Sequence, residues 1–183
     1  EIALLENISR TASVVAIQPA RLRYLSKEKF QEILAHVPDV SLEIISTELG
    51  HGQVNLHAGA IVSGGKGMQS RDNYEKLVGQ LTSALGKRLD TQVERGASRA
   101  AVEQGFIGRI HQVGQTGTSV GPKLYVALGI SGAIQHMIGV ANTETIVAIN
   151  SDPNAPIFKQ CDYYMVGNVE DIVPKLAEEL QQV

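Results

Sequence analysis

The sequence predicts a doubly wound α/β domain, with a mostly parallel sheet and helices on both faces. Three observations predict it. Short β-branched runs alternate with helical patterns along the chain, the order that a parallel sheet with crossover helices requires. Eighteen glycines, somewhat above average usage, fall largely in turns that follow apolar runs. Polar residues suited to binding recur at the ends of the predicted strands, where open parallel sheets hold their ligands.

Each element can be read in turn. Thr11–Gln18 is predicted as a strand, Ser26–His36 as a helix capped by Ser26, and the alternating run Ser41–Glu48 as a second strand. Residues 1–58 are thus expected to be a strand-rich lead-in, and 59–183 the core of the same single domain. Gly59–Ser63 reads as a short buried strand ending in the turn Gly64-Gly-Lys-Gly67. Ser70 should cap a helix from Arg71 to Gly86, because Tyr74, Leu77, Val78, Leu81 and Leu85 recur at helical spacing. Ser98–Gln104 is a short helix that Gly105 terminates, and Phe106–Pro122 a long loop of the kind that usually has a function. Lys123–Leu128, Thr145–Ile149 and Cys161–Val166 are strands; Gly132–Met137 starts a helix, and Val169–Gln182 is the closing helix.

Composition narrows the function. Net charge is −3 and no block of lysine or arginine occurs, so nucleic acid and anionic membranes are poor partners. No apolar run approaches the roughly 20 residues that span a bilayer, and membrane insertion is not expected. Cys161 is the sole cysteine, which fits a reducing compartment. The chain begins without methionine and is expected to be a fragment or processed product. The five histidines and Cys161 lack metal-ligand spacing, so no metal is expected.

Two glycine-rich turns carry the binding signal. Val113-Gly-Gln-Thr-Gly117 and Gly129-Ile-Ser-Gly-Ala-Ile-Gln-His136 place a hydroxyl, amides and an imidazole beside backbone that an anion can approach closely. Such a set suits a nucleotide or dinucleotide cofactor. Gly65-Lys66 is not a phosphate-binding Walker loop, since Ala60 holds the first glycine position and Gly67 replaces the required hydroxyl. A tight turn explains that segment equally well. Arg99 supplies a fixed cation with five donors, or else pairs on the surface with Glu94 or Glu103. Ser98 is a helix cap, Thr116 a turn hydroxyl between two glycines, and His136 either a ligand group or a core histidine. No nucleophile elbow and no general acid–base pair stands out.

These same segments match a family. From Gly59 to about Leu180 the chain resembles the C-terminal flavin domain of the electron transfer flavoprotein α subunit. The resemblance rests on Val62-Ser-Gly-Gly65, Gly96-Ala-Ser-Arg-Ala-Ala101, Gln112-Val-Gly-Gln-Thr-Gly117, Gly129–His136, Val147-Ala-Ile-Asn150 and Asp152-Pro-Asn-Ala-Pro-Ile-Phe158. It implies a Rossmann-like fold of the DHS type that holds extended FAD at the carboxyl ends of the sheet. By that resemblance Gln115 and Thr116 lie beside the isoalloxazine, with the Thr116 hydroxyl near N5. His136 faces the O2 side, and Arg99 lies over the ring and favours its reduced, negatively charged form. Ser98, Gln112, Ser131 and Asn150 would hold the ribityl, pyrophosphate or adenosine portions. Lys66, Gly114, Gly117, Gly129, Gly132, Ala133, Gln135 and Asn168 complete the implied cofactor contacts.

Three departures from the family pattern stand out. Lys66 replaces the arginine of a Gly-Gly-Arg-Gly turn, keeping charge but losing the planar fork. Asn168 stands where the family often places an acid near the adenine. The family's N-terminal α/β domain has no counterpart in this sequence. The implied function is a redox carrier of electron transport, not a substrate-converting enzyme. It would form a heterodimer with a β subunit and take electrons from a flavin-containing dehydrogenase such as the acyl-CoA dehydrogenases of fatty acid oxidation. An electron-bifurcating relative is one alternative, and a nucleotide-binding module without flavin, favoured by Lys66 and Asn168, is another. The expected location is the cytoplasm of a bacterium or archaeon, or the mitochondrial matrix.

Overall fold

The computed structural model describes residues 58–182. The strands and helix predicted within residues 1–57 lie outside the described residues. What is described is a five-stranded, all-parallel sheet in the order β2-β1-β3-β4-β5. The strands are β1 (Ala60–Gly64), β2 (Val93–Ala97), β3 (Leu124–Leu128), β4 (Thr145–Asn150) and β5 (Tyr163–Val166). Four α-helices connect or close them: α1 (Arg71–Leu89), α2 (Arg99–Glu103), α3 (Ile134–Ile138) and α4 (Val169–Gln182).

β1 and β3 are buried throughout, as central strands of a sheet covered on both faces must be. Side chains alternate between those faces. Ala60, Val62, Leu124, Val126, Val147 and Ile149 point to one core, which α1 and α4 cover with Tyr74, Leu81, Leu85, Ile172 and Val173. Ile61, Tyr125, Ala127, Ile146 and Ala148 point to the other. There the cover is thinner: Met137 of α3, Val113 and Val120 from the loop before β3, and Ile157 and Phe158 from the 3-10 turn Pro156–Lys159.

Caps read from the sequence are in place. Ser70 Oγ accepts from the Asn73 N–H at the head of α1, and Ser98 Oγ accepts from the Ala101 N–H at the head of α2. α1 runs three residues beyond the expected Gly86, because the chain returns closely over that glycine and the stop falls instead at left-handed Asp90 (φ 47°), whose N–H reaches the Gly86 carbonyl. β2 was not expected at all. Its Val-Glu-Arg-Gly-Ala composition carries two charges, which an edge strand tolerates because it is half open; Arg95 reaches over α1 to Glu75 at 3.0 Å. β5 starts at Tyr163, later than expected, since Asp162 ends the approach by accepting the Ile146 N–H at 2.9 Å. Gly132 (φ +85°) precedes α3 and is not part of it.

β1 lies between β2 and β3, so the chain leaves it on one side of the sheet and resumes on the other. At such a switch point the connections diverge and open a crevice beyond the carboxyl ends of the strands.

Candidate functional site

The floor of the crevice is made by two turns that touch. Gly65 N–H donates to the Leu128 carbonyl at 2.8 Å, and Gly67 N–H to the Gly129 carbonyl at 3.0 Å. Contact this close requires glycine: Gly129 is left-handed (φ +61°), and a Cβ there would stand 2.8 Å from Gly67 Cα. Lys66 rises from the first turn, and Ile130 and Ser131 extend the second. Beside them opens a cavity of about 610 Å³, within the ordinary range for cofactor sites.

α2 forms one wall. Ser98, fixed by its N–H on the Gly64 carbonyl, starts that helix against the end of β1. Arg99 follows and pairs one turn on with Glu103 at 2.7 Å; both side chains are well exposed, at 67% and 59%, and both line the cavity. The surface pairing considered for Arg99 is therefore present, while its guanidinium still stands at the cavity's edge.

The loop before β3 forms the opposite wall. Its apparent length hides tight internal bonding: Thr118 N–H donates to the Gln112 carbonyl, Gly114 N–H to the Thr118 carbonyl, and Gln115 N–H to the Gln135 carbonyl of α3. Gly114 adopts φ +141°, and a Cβ there would meet the Gln135 carbonyl at 3.1 Å, so glycine lets the loop lie closely against α3. Gln112 is buried, with its Nε2 donating to Thr116 Oγ1 at 3.0 Å. Since Thr116 oxygen accepts from Gln112, its own hydroxyl proton remains free to donate elsewhere.

His136, on α3, is 6% exposed. Its Nε2 meets the Tyr125 hydroxyl at 3.0 Å, and its Nδ1 makes no hydrogen bond. Burial pushes the imidazole far down, to about 4; the Val113 backbone pulls the other way without reaching hydrogen-bonding geometry at Nδ1. His136 is thus neutral at pH 7, and the cationic charge of the cavity comes from Lys66 and Arg99, opposed by Glu103 and Asp152.

Of the residues proposed from sequence, the cavity gathers Lys66, Ser98, Arg99, Gln112, Gly114, Gln115, Thr116, Gly129, Ser131, Ala133, Gln135, His136 and Asn150. Asn150 spends its amide on structure, donating to the Ile130 carbonyl and accepting from the Asp152 N–H. Three do not line it. Gly117 bends the loop behind Gln112, Gly132 lays its backbone on Ile157, and Asn168 sits at the head of α4, its carbonyl accepting from Asp171 and Ile172. Gly67, Ala100, Glu103, Val113, Ile130, Asp152 and Ala155 line the cavity and were not proposed. Asp152 and Ala155 lay within the matching segment Asp152–Phe158, which was the one available signal for them. Among the described residues no three His, Cys, Asp or Glu side chains are grouped to hold a metal, and no helix is long and apolar enough to cross a membrane.

An open parallel sheet, with glycine-built turns, fixed cations and hydroxyl and amide donors around its switch-point crevice, defines a nucleotide-cofactor-binding domain. Lys66 and Arg99 on the cavity wall fit an anionic tail, and the spare Thr116 donor fits the edge of a flat heterocycle. A family model described as "Electron transfer flavoprotein FAD-binding domain" matches residues 56–141. The electron transfer flavoprotein subunit alpha of Thermoanaerobacterium thermosaccharolyticum is 46% identical over 147 residues, covering 79% of this chain and 42% of the relative. The mitochondrial subunit alpha of Dictyostelium discoideum is 48% identical over 125 residues, 68% of this chain and 33% of the relative. That of Bradyrhizobium diazoefficiens is 51% identical over 120 residues, 66% and 36% respectively. The chain belongs to the electron transfer flavoprotein α family through its FAD-binding domain, and FAD is the cofactor of that domain. It spans about two-fifths or less of the length of these curated relatives.

Proposed function

We propose that this chain carries electrons through FAD held in the crevice, as part of a heterodimer with a β subunit, receiving them from a flavin-containing dehydrogenase and passing them to a further acceptor. The observation that carries the reading is the convergence of Arg99, Thr116 and His136 on one cavity at the carboxyl edge of the sheet.

FAD supplies one- and two-electron chemistry when bound. The protein's part is binding and electrostatics. The Gly65–Gly67 and Gly129 turns let backbone approach the cofactor's anionic portion, with Lys66 beside them. Arg99 offers a permanent charge that favours added electrons, and Thr116, oriented by Gln112, offers a donor to a ring nitrogen. His136 contributes a ring that burial keeps neutral at pH 7. Arginine in place of Lys66 would restore a planar fork, and the Lys66 side chain here contributes charge without that geometry.

The test is an absorption spectrum of the purified chain, with and without the β subunit, after adding FAD and desalting, followed by stepwise reduction at a controlled potential. Retained flavin bands with reversible electron uptake are expected. A colourless protein under both conditions would overturn the reading in favour of a module without flavin.

A further inference from the structure

Tyr125 belongs to the apolar run Leu-Tyr-Val-Ala-Leu of β3 and does not line the cavity. It is nevertheless the only side chain hydrogen-bonded to His136 among the described residues. Tyr125 is fully buried. Its ring and the imidazole lie 6.0 Å apart at 51°, so the hydroxyl meets the imidazole edge and the two rings do not stack. Burial raises the phenol well above its ordinary value, with the Ser63 side chain pulling it down and Tyr74 pushing it up. The phenol therefore keeps its proton and needs an acceptor.

Two arrangements are chemically available for the 3.0 Å contact. In one, His136 Nε2–H donates to the phenol, and the phenol proton must go to Ser63. Ser63 Oγ, however, forms no hydrogen bond, so that proton would be buried without a partner. Nδ1 would then be a bare lone pair beside the Val113 backbone, whose influence favours a protonated ring. In the other arrangement the phenol donates to Nε2 and the ring proton sits on Nδ1. A phenol is the stronger donor of the two, and this arrangement leaves one buried group, Nδ1–H, without a partner where the first leaves two, the phenol proton and the Nδ1 lone pair.

We propose that Tyr125 is a positioning residue for His136: its hydroxyl donates to Nε2, holds the imidazole as the Nδ1–H tautomer, and fixes the ring that forms part of the cavity wall. The effect on cofactor rests on the FAD reading above; the tautomer does not. Other buried polar groups lack this connection. Tyr74 is also buried, but its hydroxyl donates to the Gly96 carbonyl in the opposite core.

The test uses Tyr125→Phe in the intact chain, with Tyr74→Phe as the control that removes an equally buried hydroxyl. Long-range ¹H–¹⁵N correlation spectra, assigned with His136→Gln, read the tautomer without any cofactor. The wild type and Tyr74→Phe are expected to show protonated Nδ1 only, and Tyr125→Phe to show exchange between tautomers. FAD binding by Tyr125→Phe should be weakened roughly threefold to tenfold, the range that loss of one hydrogen bond produces, and its midpoint potential should move while that of Tyr74→Phe does not. Protonated Nε2 in the wild type, or an unchanged tautomer in Tyr125→Phe, would overturn the proposal even if that variant were less stable. Failure of every form to bind FAD would remove the functional reading and leave the tautomer result standing by itself.

Discussion

Replacing Gly129 by alanine attacks the floor of the site at its tightest point, and the structure allows the loss to be worked out. Alanine at φ +61° costs about 1–2 kcal/mol from its left-handed conformation alone. The new Cβ would also stand 2.8 Å from Gly67 Cα, 2.9 Å from Gly67 C and 3.2 Å from Met68 N. All three are backbone atoms, so no rotamer change relieves the clash, and the turns after β1 and β3 must part. Parting them weakens the Gly67 N–H to Gly129 carbonyl bond and strains Gly65 N–H on Leu128, for roughly another 1–2 kcal/mol. The sum is about 3 kcal/mol, or about 10 °C in Tm for a domain of this size. Gly105 provides the comparison, since it too is left-handed (φ +74°) but a Cβ there meets nothing within 4 Å. Gly105→Ala should lose only the conformational part, about 1 kcal/mol. Urea and thermal unfolding of both variants measure the difference directly. Equal losses, or a smaller loss at Gly129, would refute the claim that contact between the two turns dictates glycine there.

Other outcomes follow from the same geometry. His136 is neutral when folded because burial holds it at about 4, whereas the unfolded chain titrates near the ordinary 6.5. Its contribution is therefore complete above pH 6.5 and is lost as pH falls toward 4, by up to about 3 kcal/mol; His136→Gln should flatten that part of the stability–pH curve measured by urea unfolding. Arg99→Ala should leave the unfolding free energy within about 0.5 kcal/mol of wild type, because the Glu103 pair is exposed, while lowering the flavin potential measured by redox titration; an unchanged potential would remove Arg99 from the electrostatic scheme. Thr116→Val keeps the shape but strands the buried Gln112 amide, which should cost about 1–3 kcal/mol in thermal unfolding, more than the same change at half-buried Thr91.

Much of this was legible in the sequence because strong periodicity and short-range chemistry decide it. The apolar spacing of α1 reflects the face it buries against β1 and β2, and Ser70 and Ser98 cap their own helices within three residues. β4 and α4 likewise follow from local pattern. β2 escaped because its stability comes from pairing with β1, which rescues a charged pentapeptide that has little strand character by itself. The cavity's membership was largely visible through the turn motifs, whose glycines signal close backbone approach. The roles inside it were not. Nothing local distinguishes Tyr125 from the other apolar residues of its strand, since its partner stands eleven residues on, on another element. Nor does sequence reveal that the Asn150 side chain ties the Ile130 and Asp152 turns together, or that His136 is too dry to carry charge.

The two turns that meet under the cavity belong to segments separated by α1, β2, α2 and the whole loop before β3. Neither can assume its final shape from its neighbours in sequence, so the cofactor floor is a product of high contact order. It exists only once β1 and β3 have paired at the centre of the sheet. A nascent or partly folded chain would hold most of its helices before it held a binding site. Cofactor capture should therefore be a late event in assembly, reporting closure of the central strands rather than preceding it.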